Sequence, residues 1–495
     1  MRNEKWITAI LLLLLTISAA AQDVIVQRGC RVGKLRPREM ALRRGAQEAQ
    51  PIHVGGDFYH GDRNQLTVLV SFSDQQFLVD DPMPVWNNIL NGVNYTEGKF
   101  YGSAYDYFYA QSDGQFRLHF DIQCVVLDQS RVRYHSTGTY GDDENSQYLV
   151  QDIMEVLKTR DIDWSLYDWN GDDFVNQLLI IYAGKGQSQD GDDYTIWPHQ
   201  WWMSSHRKDY HEPTYQPDVY CDPIPVTYGE KQYIVDCYCA VSEEAYGDYR
   251  TFGILCHEYS HCFGFPDFYG TNKTPHYWDL MDSSYNNNGF CPGNYSGHER
   301  MMMGWLTPKP LTVSQTISDM PANEVYIIYN DAHPDEYYMV ENRQQTGWDS
   351  SLPGSGLVVF HVDYDEERWL YYVVNSENKL CYHIIPANNK QEYKYNYEAD
   401  WAYPYLGNDS LTNHSKPAAT LNNQNTDGTY FMSKSLRDIS VTGGLASFRF
   451  TVDGTTGIDD IIDRKPTGPS KVLYQMGPVL IVREQDGTIR KIMKR

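Results

Sequence analysis

"CHEYSHCFGFPDFYG", residues 256–270, decides how the rest of this chain is read. Phe252, Leu255, Tyr259 and Phe263 recur at three- and four-residue steps, which predicts an amphipathic helix over residues 250–263. Gly264 suits its end and Pro266 blocks its continuation. On that helix His257 and His261 project from neighbouring turns of one face, so both imidazoles can reach one ion. Glu258, beside the first histidine, can address a water on that ion. Zinc with three protein ligands and an open position brings the pKa of its bound water to about 7. Glu258 is then the base that takes the proton as water attacks a peptide carbonyl and passes it to the leaving amine. The competing reading is two histidines that cap polar groups on a half-buried helix.

The continuation favours the metal. Gly264 lets the chain leave the helix sharply, and Asp267 falls where the metzincin pattern HExxHxxGxxH/D has its third ligand. Pro266-Asp267 could instead cap the turn after the helix. Glu299 is the main rival, because a glutamate from a later helix completes the site in gluzincins, and Asp279 is a second rival. His199 in "WPHQWW" reads as structural or substrate-facing. Tyr285 is a candidate to steady an oxyanion, although one tyrosine among 40 carries little weight.

At 495 residues the chain has room for two or three domains. Its net charge of −24, with no basic block, disfavours a phosphate backbone as partner, and an acidic surface fits an extracellular protein. "MRNEKWITAILLLLLTISAAAQD" has early positive charge, a short apolar run and Ala19-Ala20-Ala21, the order of a secretory signal peptide. No later segment is apolar for long enough to span a bilayer, so an exported, soluble protein is expected. The nine cysteines are scattered and give no zinc ribbon or assignable pairing. Neither Cys256 nor Cys262 has a nucleophile signature.

Strands and helices alternate to about residue 310, with "LTVLVSFSD", "NSQYLVQDIMEVLKT" and "NQLLIIYAG" the clearest members. Beyond Pro308 short strands such as "EVYIIYN", "GLVVFHVDYD" and "ASFRFTV" take over. The expected organisation is a signal peptide over 1–21 and a prosegment or extended arm over 22–62. An α+β zincin-like catalytic domain over 63–310 and a β-rich, sandwich-like domain over 311–453 follow. A linker over 454–470 then leads to a terminal hairpin over 471–495, turning at Asp486-Gly487. Cys30, in the arm, could ligate zinc and keep the enzyme latent.

Calcium is a candidate second metal, with an Asn-Gly turn into the following strand as the competing reading. Asp168, Asn170 and Asp172 in "DWNGDD" alternate oxygen ligands as in a calcium loop, although the glycine and the closing glutamate of a full loop are missing. Asp190, Asp192 and Asp193 read as a solvated acidic loop.

The blocks "VLVSFSD", "GSAYDYFYAQSDGQF", "YDWNGDDFVNQLLIIYAG", "TIWPHQWW", "CHEYSHCFGFPDFYG", "YWDLMDSSYNNNGFCPGNYSGHERMMMGWL" and "GSGLVVFHVDYD" stand in that order. Together they resemble the M6 metallopeptidases, the immune-inhibitor-A-like family of secreted bacterial proteases, whose motif is HExxHxxGxPDxY. The resemblance runs over roughly residues 65–370. It implies a secreted zinc endopeptidase with one catalytic Zn2+, His257 and His261 as ligands and Glu258 as general base. It also suggests a Met-turn at Met281. The reading from a different class is a calcium-dependent surface-binding protein whose peptidase domain has lost activity, and the intact HExxH argues against it.

Overall fold

The computed structural model describes residues 57–453 except 136–144, 190, 192–193, 207, 209–219, 323, 377 and 391–397, together with strand backbones at 471–476, 479–483 and 489–493. The expected signal peptide, residues 22–56 of the arm with Cys30, the acidic trio at 190–193 apart from residue 191, and the linker lie outside the described residues.

Long β-branched runs make strands that tolerate burial on both faces, and the first half of the chain is built on them. β1 (Gly61–Ser71), β2 (Phe116–Val126), β4 (Leu178–Lys185) and β8 (Cys237–Glu244) run parallel in the order β2-β1-β4-β8. β5 (His199–Trp202) closes the sheet antiparallel to β8. Successive residues take opposite faces. Leu69, Leu179, Ile181 and Val241 pack with α1 (Pro82–Asn91), α2 (Ala104–Gln111) and α4 (Phe252–His261). Val68, Val70, Ile180 and Ala240 pack with α3 (Ser146–Leu157) on the other side. β3 (Phe174–Val175), β6 (Ile224–Tyr228) and β7 (Lys231–Val235) form a small side sheet.

Residues 57–62, read with the arm, are part of this body. Tyr59 is buried, its carbonyl accepts from Trp305 Nε1 at 2.9 Å, and β1 begins at Gly61.

After α5 (Gly297–Met302) the chain is mostly strand. β9 (Lys309–Pro310), β11 (Val325–Tyr329), β12 (Glu336–Arg343), β13 (Gly356–Asp363) and β16 (Tyr382–Ile384) form a sheet in the order β16-β13-β12-β11-β9. β10 (Gln315–Met320), β17 (Lys434–Thr442) and β18 (Leu445–Val452) form a second. Every residue of β12 and β13 is buried, because the five-stranded sheet is covered on both faces. Tyr338, Val340, Leu357 and Val359 meet the three-stranded sheet. Tyr337, Met339, Val358 and Phe360 join the core that holds α4, so one hydrophobic core crosses residue 310. Between β13 and β16 lie α6 (Glu366–Leu370) and a ribbon of β14 (Asn375–Ser376) and β15 (Lys379–Leu380). The terminal segment is three antiparallel strands, β19 (Lys471–Met476), β20 (Val479–Arg483) and β21 (Ile489–Met493). No described helix is long and apolar enough to cross a membrane.

Phe360 is fully buried in the shared core and stacks on Tyr382 at 5.5 Å. Phe360→Ala is expected to cost about 3–5 kcal/mol in urea unfolding. Because the core is continuous, the loss should lower one cooperative transition rather than split it in two.

Candidate metal centre and active site

The helix expected over 250–263 is α4, Phe252–His261, and its chain then tightens. Phe263 N and Gly264 N bond back three residues, to Ser260 and His261 carbonyls, and Gly264 turns the chain with φ +94°. A side chain is strained at that φ, so glycine is the residue that lets the backbone fold back beneath the helix. The amphipathic pattern understates the burial, since all ten helix residues are buried. One side is anchored by Tyr259, whose hydroxyl donates to Gln65 Oε1 at 2.5 Å and accepts from Gln177 Nε2 at 2.8 Å. That fixes α4 against β1 and the start of β4, and leaves the histidine face toward the loop that follows.

Each histidine spends one ring nitrogen on a carbonyl. His257 Nδ1 lies 2.7 Å from Leu280 O, and His261 Nδ1 lies 2.7 Å from Phe265 O. A carbonyl can only accept, so Nδ1 carries the hydrogen and Nε2 of the neutral ring is left with its lone pair. The two Nε2 atoms both face Asp267 Oδ1, each at 3.3 Å. Asp267 Oδ2 is held separately by the Tyr269 hydroxyl at 2.7 Å. Burial pushes the Asp267 carboxyl up, but the two histidines beside it outweigh burial and hold it below its ordinary value.

The three inward atoms, Nε2 of His257 and His261 and Oδ1 of Asp267, are buried and have no hydrogen-bond partner among the described residues. Buried polar atoms left this way are costly, and a cation removes the cost. With metal–ligand bonds of about 2.0–2.1 Å, ligands around tetrahedral zinc stand about 3.3 Å apart. The donor set and its spacing therefore fit zinc. These residues are the one group of three or more His, Cys, Asp and Glu side chains among the described residues that is spaced to hold a metal ion.

Glu258 lines a small cleft of about 40 Å³ with Trp197, Ile254, Tyr285 and Asn286 among its walls. Tyr285 also lies beside the first histidine, its ring centroid 4.6 Å from that of His257. Met281 is fully buried, and the turn that carries it is tied to both arms of the site. Leu280 O takes His257 Nδ1, while Met281 O takes Phe268 N at 2.9 Å.

The rivals for third ligand stand elsewhere. Asp279 accepts from Met281 N at 2.8 Å and from the Tyr382 hydroxyl at 2.7 Å. Glu299 forms a capping box with Ser296 at the start of α5. His199 is bonded on both nitrogens, 2.6 Å from Trp197 O and 2.9 Å from the Tyr238 hydroxyl, which is a structural role. In the candidate calcium loop the side chains bond the loop's own backbone. Asp168 accepts the amides of Gly171, Asp172 and Asp173, and Asp172 Oδ1 accepts Phe174 N. Its carboxylates thus cap their own turn, an Asx geometry that oxygen spacing alone does not distinguish from a cation loop. Sequence reading singles out Asp267 but passes over Tyr269, two residues on in the same motif, and the carbonyls of Phe265 and Leu280.

A mixed α/β body with a buried His-His-Asp group on and after a single helix defines a metallopeptidase type of site. The comparisons agree. Residues 64–305 match the sequence model described as "Immune inhibitor A peptidase M6, catalytic domain". "Immune inhibitor A" of Bacillus thuringiensis subsp. alesti is 26% identical over 212 residues, covering 39% of this chain. The aligned part spans 29% of the length of that relative. Over residues 64–305, just under half of its length, the chain matches the M6 metallopeptidase family.

The turn beneath His257 depends on a buried acid. Burial raises the Asp279 carboxyl to about 7, with neighbouring Asp282 adding to the rise. A carboxyl raised above its unfolded value favours the fold while protonated, and that contribution is lost as pH climbs toward 7. Asp279→Asn keeps an acceptor for Met281 N and removes the ionisation. The wild type should therefore lose up to a few kcal/mol relative to this variant between about pH 4 and 7. Urea midpoints of both proteins at a series of pH values measure the difference.

Proposed function

We propose that this chain is an exported zinc-dependent endopeptidase, with His257, His261 and Asp267 holding the ion and Glu258 acting as general base. The observation that carries the reading is the trio of buried, inward-facing ligand atoms whose opposite atoms are already committed to Leu280 O, Phe265 O and the Tyr269 hydroxyl. When bound, zinc supplies a Lewis acid that polarises the peptide carbonyl and acidifies water at neutral pH.

The chain's own residues do the rest. Glu258 follows His257 on the helix and borders the cleft, whose volume of about 40 Å³ suits a water held beside the carboxylate. Glu258 takes a proton from the attacking water and holds it on a carboxylate oxygen until the leaving amine accepts it. Tyr285, on the same cleft wall, is suited to donate to the oxygen on which charge develops. Export rests on the apolar leader ending in Ala19-Ala20-Ala21. A peptidase domain ending near residue 310, a β-rich domain beyond it and a prosegment upstream of residue 57 belong to the same proposal. The family match ending at residue 305 supports that division.

Casein cleavage by the purified mature protein tests the reading. Glu258→Ala should lose about 10²–10⁴-fold in rate yet keep its metal, and a zinc chelator should abolish cleavage by the wild type. Asp267→Ala should lose zinc on dialysis, whereas Glu299→Gln should retain about one ion per chain. Undiminished cleavage by Glu258→Ala, or zinc retained without Asp267, would sink the assignment.

A further inference from the structure

A second cavity, sharing no lining residue with the Glu258 cleft, lies between the chain leaving the metal loop and the strands beyond residue 310. Its volume is about 430 Å³. That falls within the range of about 300–1,000 Å³ typical of small-molecule sites. Leu380 is the one apolar residue on its wall. The wall includes Lys273, Lys379, His361 and His383 but no carboxylate, in a chain whose net charge is −24.

The carboxylates sit behind this wall and are already saturated. Glu336 is fully buried and accepts His361 Nε2 at 2.7 Å, Asn422 N at 2.5 Å and Asn423 N at 3.0 Å. Burial pushes its carboxyl up, but the His361 contact and these donors prevail and bring it to about 2. Asp363 accepts Lys379 Nζ at 2.9 Å and Asn422 Nδ2 at 2.9 Å. His361 and His383 are paired directly across β13 and β16, their ring centroids 4.9 Å apart. These contacts hold the wall in place before any ligand arrives. Lys273, by contrast, has no carboxylate within ion-pair distance among the described residues.

We propose that this cavity binds a small oxyanion, a dicarboxylate or a phosphate, with Lys273 and Lys379 as its cationic partners and Asn378 and Asn422 on the polar wall around it. Lys273, with no carboxylate partner among the described residues, and Lys379, shared with Asp363, supply charge-assisted hydrogen bonds from the wall of a preformed polar cavity. The site also bears on the metal loop. Asn375, at the start of the ribbon, donates to Phe268 O at 2.6 Å, one residue beyond Asp267. Gly270 approaches the Asn375 carbonyl so closely that a Cβ would stand 2.8 Å from it. A ligand shared by Lys273 and Lys379 therefore straps the outgoing chain of the metal loop to the ribbon.

Titration calorimetry and thermal unfolding of the full-length zinc-loaded protein, with succinate or inorganic phosphate as probe, test this. At least one probe should bind with Kd of about 1 mM or tighter and raise the unfolding midpoint. Lys273→Ala should weaken it by about tenfold or more, and Lys273→Arg should restore much of the loss. Lys99→Ala, on a surface pair with Asp248, should change nothing. Binding of one probe only supports the site and assigns its ligand as carboxylate or phosphate. Lys379→Gln is the second variant, with the same expectation as Lys273→Ala. No binding of either probe at about 10 mM, or binding unchanged in both lysine variants, overturns the proposal.

Discussion

The site depends on two hydrogen bonds from histidine Nδ1 to backbone carbonyls. Without Leu280 O and Phe265 O, the rings of His257 and His261 would be free to rotate and to carry the proton on either nitrogen. With them, both lone pairs point at the same volume as Asp267 Oδ1. The two carbonyls come from two separate turns. Phe265 O is delivered by the reversal at Gly264, and Leu280 O by the turn that Asp279 stabilises through Met281 N. A change in either turn therefore reaches the centre without touching a ligand.

Burial explains why those turns hold. Asp279 shares the Tyr382 hydroxyl with Ser296, which caps α5, so the turn, the helix and β16 form one network. Arg343 on β12 grips Asp349 through two bonds of 2.7 and 2.8 Å nearby. Burial pushes Glu299 well above its ordinary range, with Asp279 adding to the rise. Such a network is costly to break in part, and it specifies one arrangement of the surrounding chain. The five-stranded sheet beyond residue 310 is thus more than an appendage, since its inner face supplies Tyr337, Met339 and Phe360 to the core that carries α4.

The legible part of the site was the part set by covalent spacing. HExxH puts two imidazoles and a carboxylate on adjacent turns whatever surrounds them, so His257, Glu258 and His261 could be read directly. Strands such as β1, β4 and β13 were equally plain, because long apolar runs have few alternatives. Asp168, Asn170 and Asp172 show the limit of the same method. Alternating oxygens suit a cation, and here Asp168 and Asp172 also accept the loop's own amides. Whether a carboxylate serves an ion or a turn depends on which donor is closer, and spacing does not encode that.

By itself, then, the sequence determined a helix bearing two histidines and a glutamate, a sharp exit at Gly264, and a β-rich second half. Tertiary structure decided the partners: Asp267 rather than Asp279 or Glu299 beside the histidines, Leu280 and Phe265 as the carbonyls behind them, and one core shared across residue 310. The physical reason is range. Helical periodicity and turn chemistry act over a few residues, whereas a ligand set, a tautomer and a buried carboxyl are fixed by groups that meet only when distant segments pack.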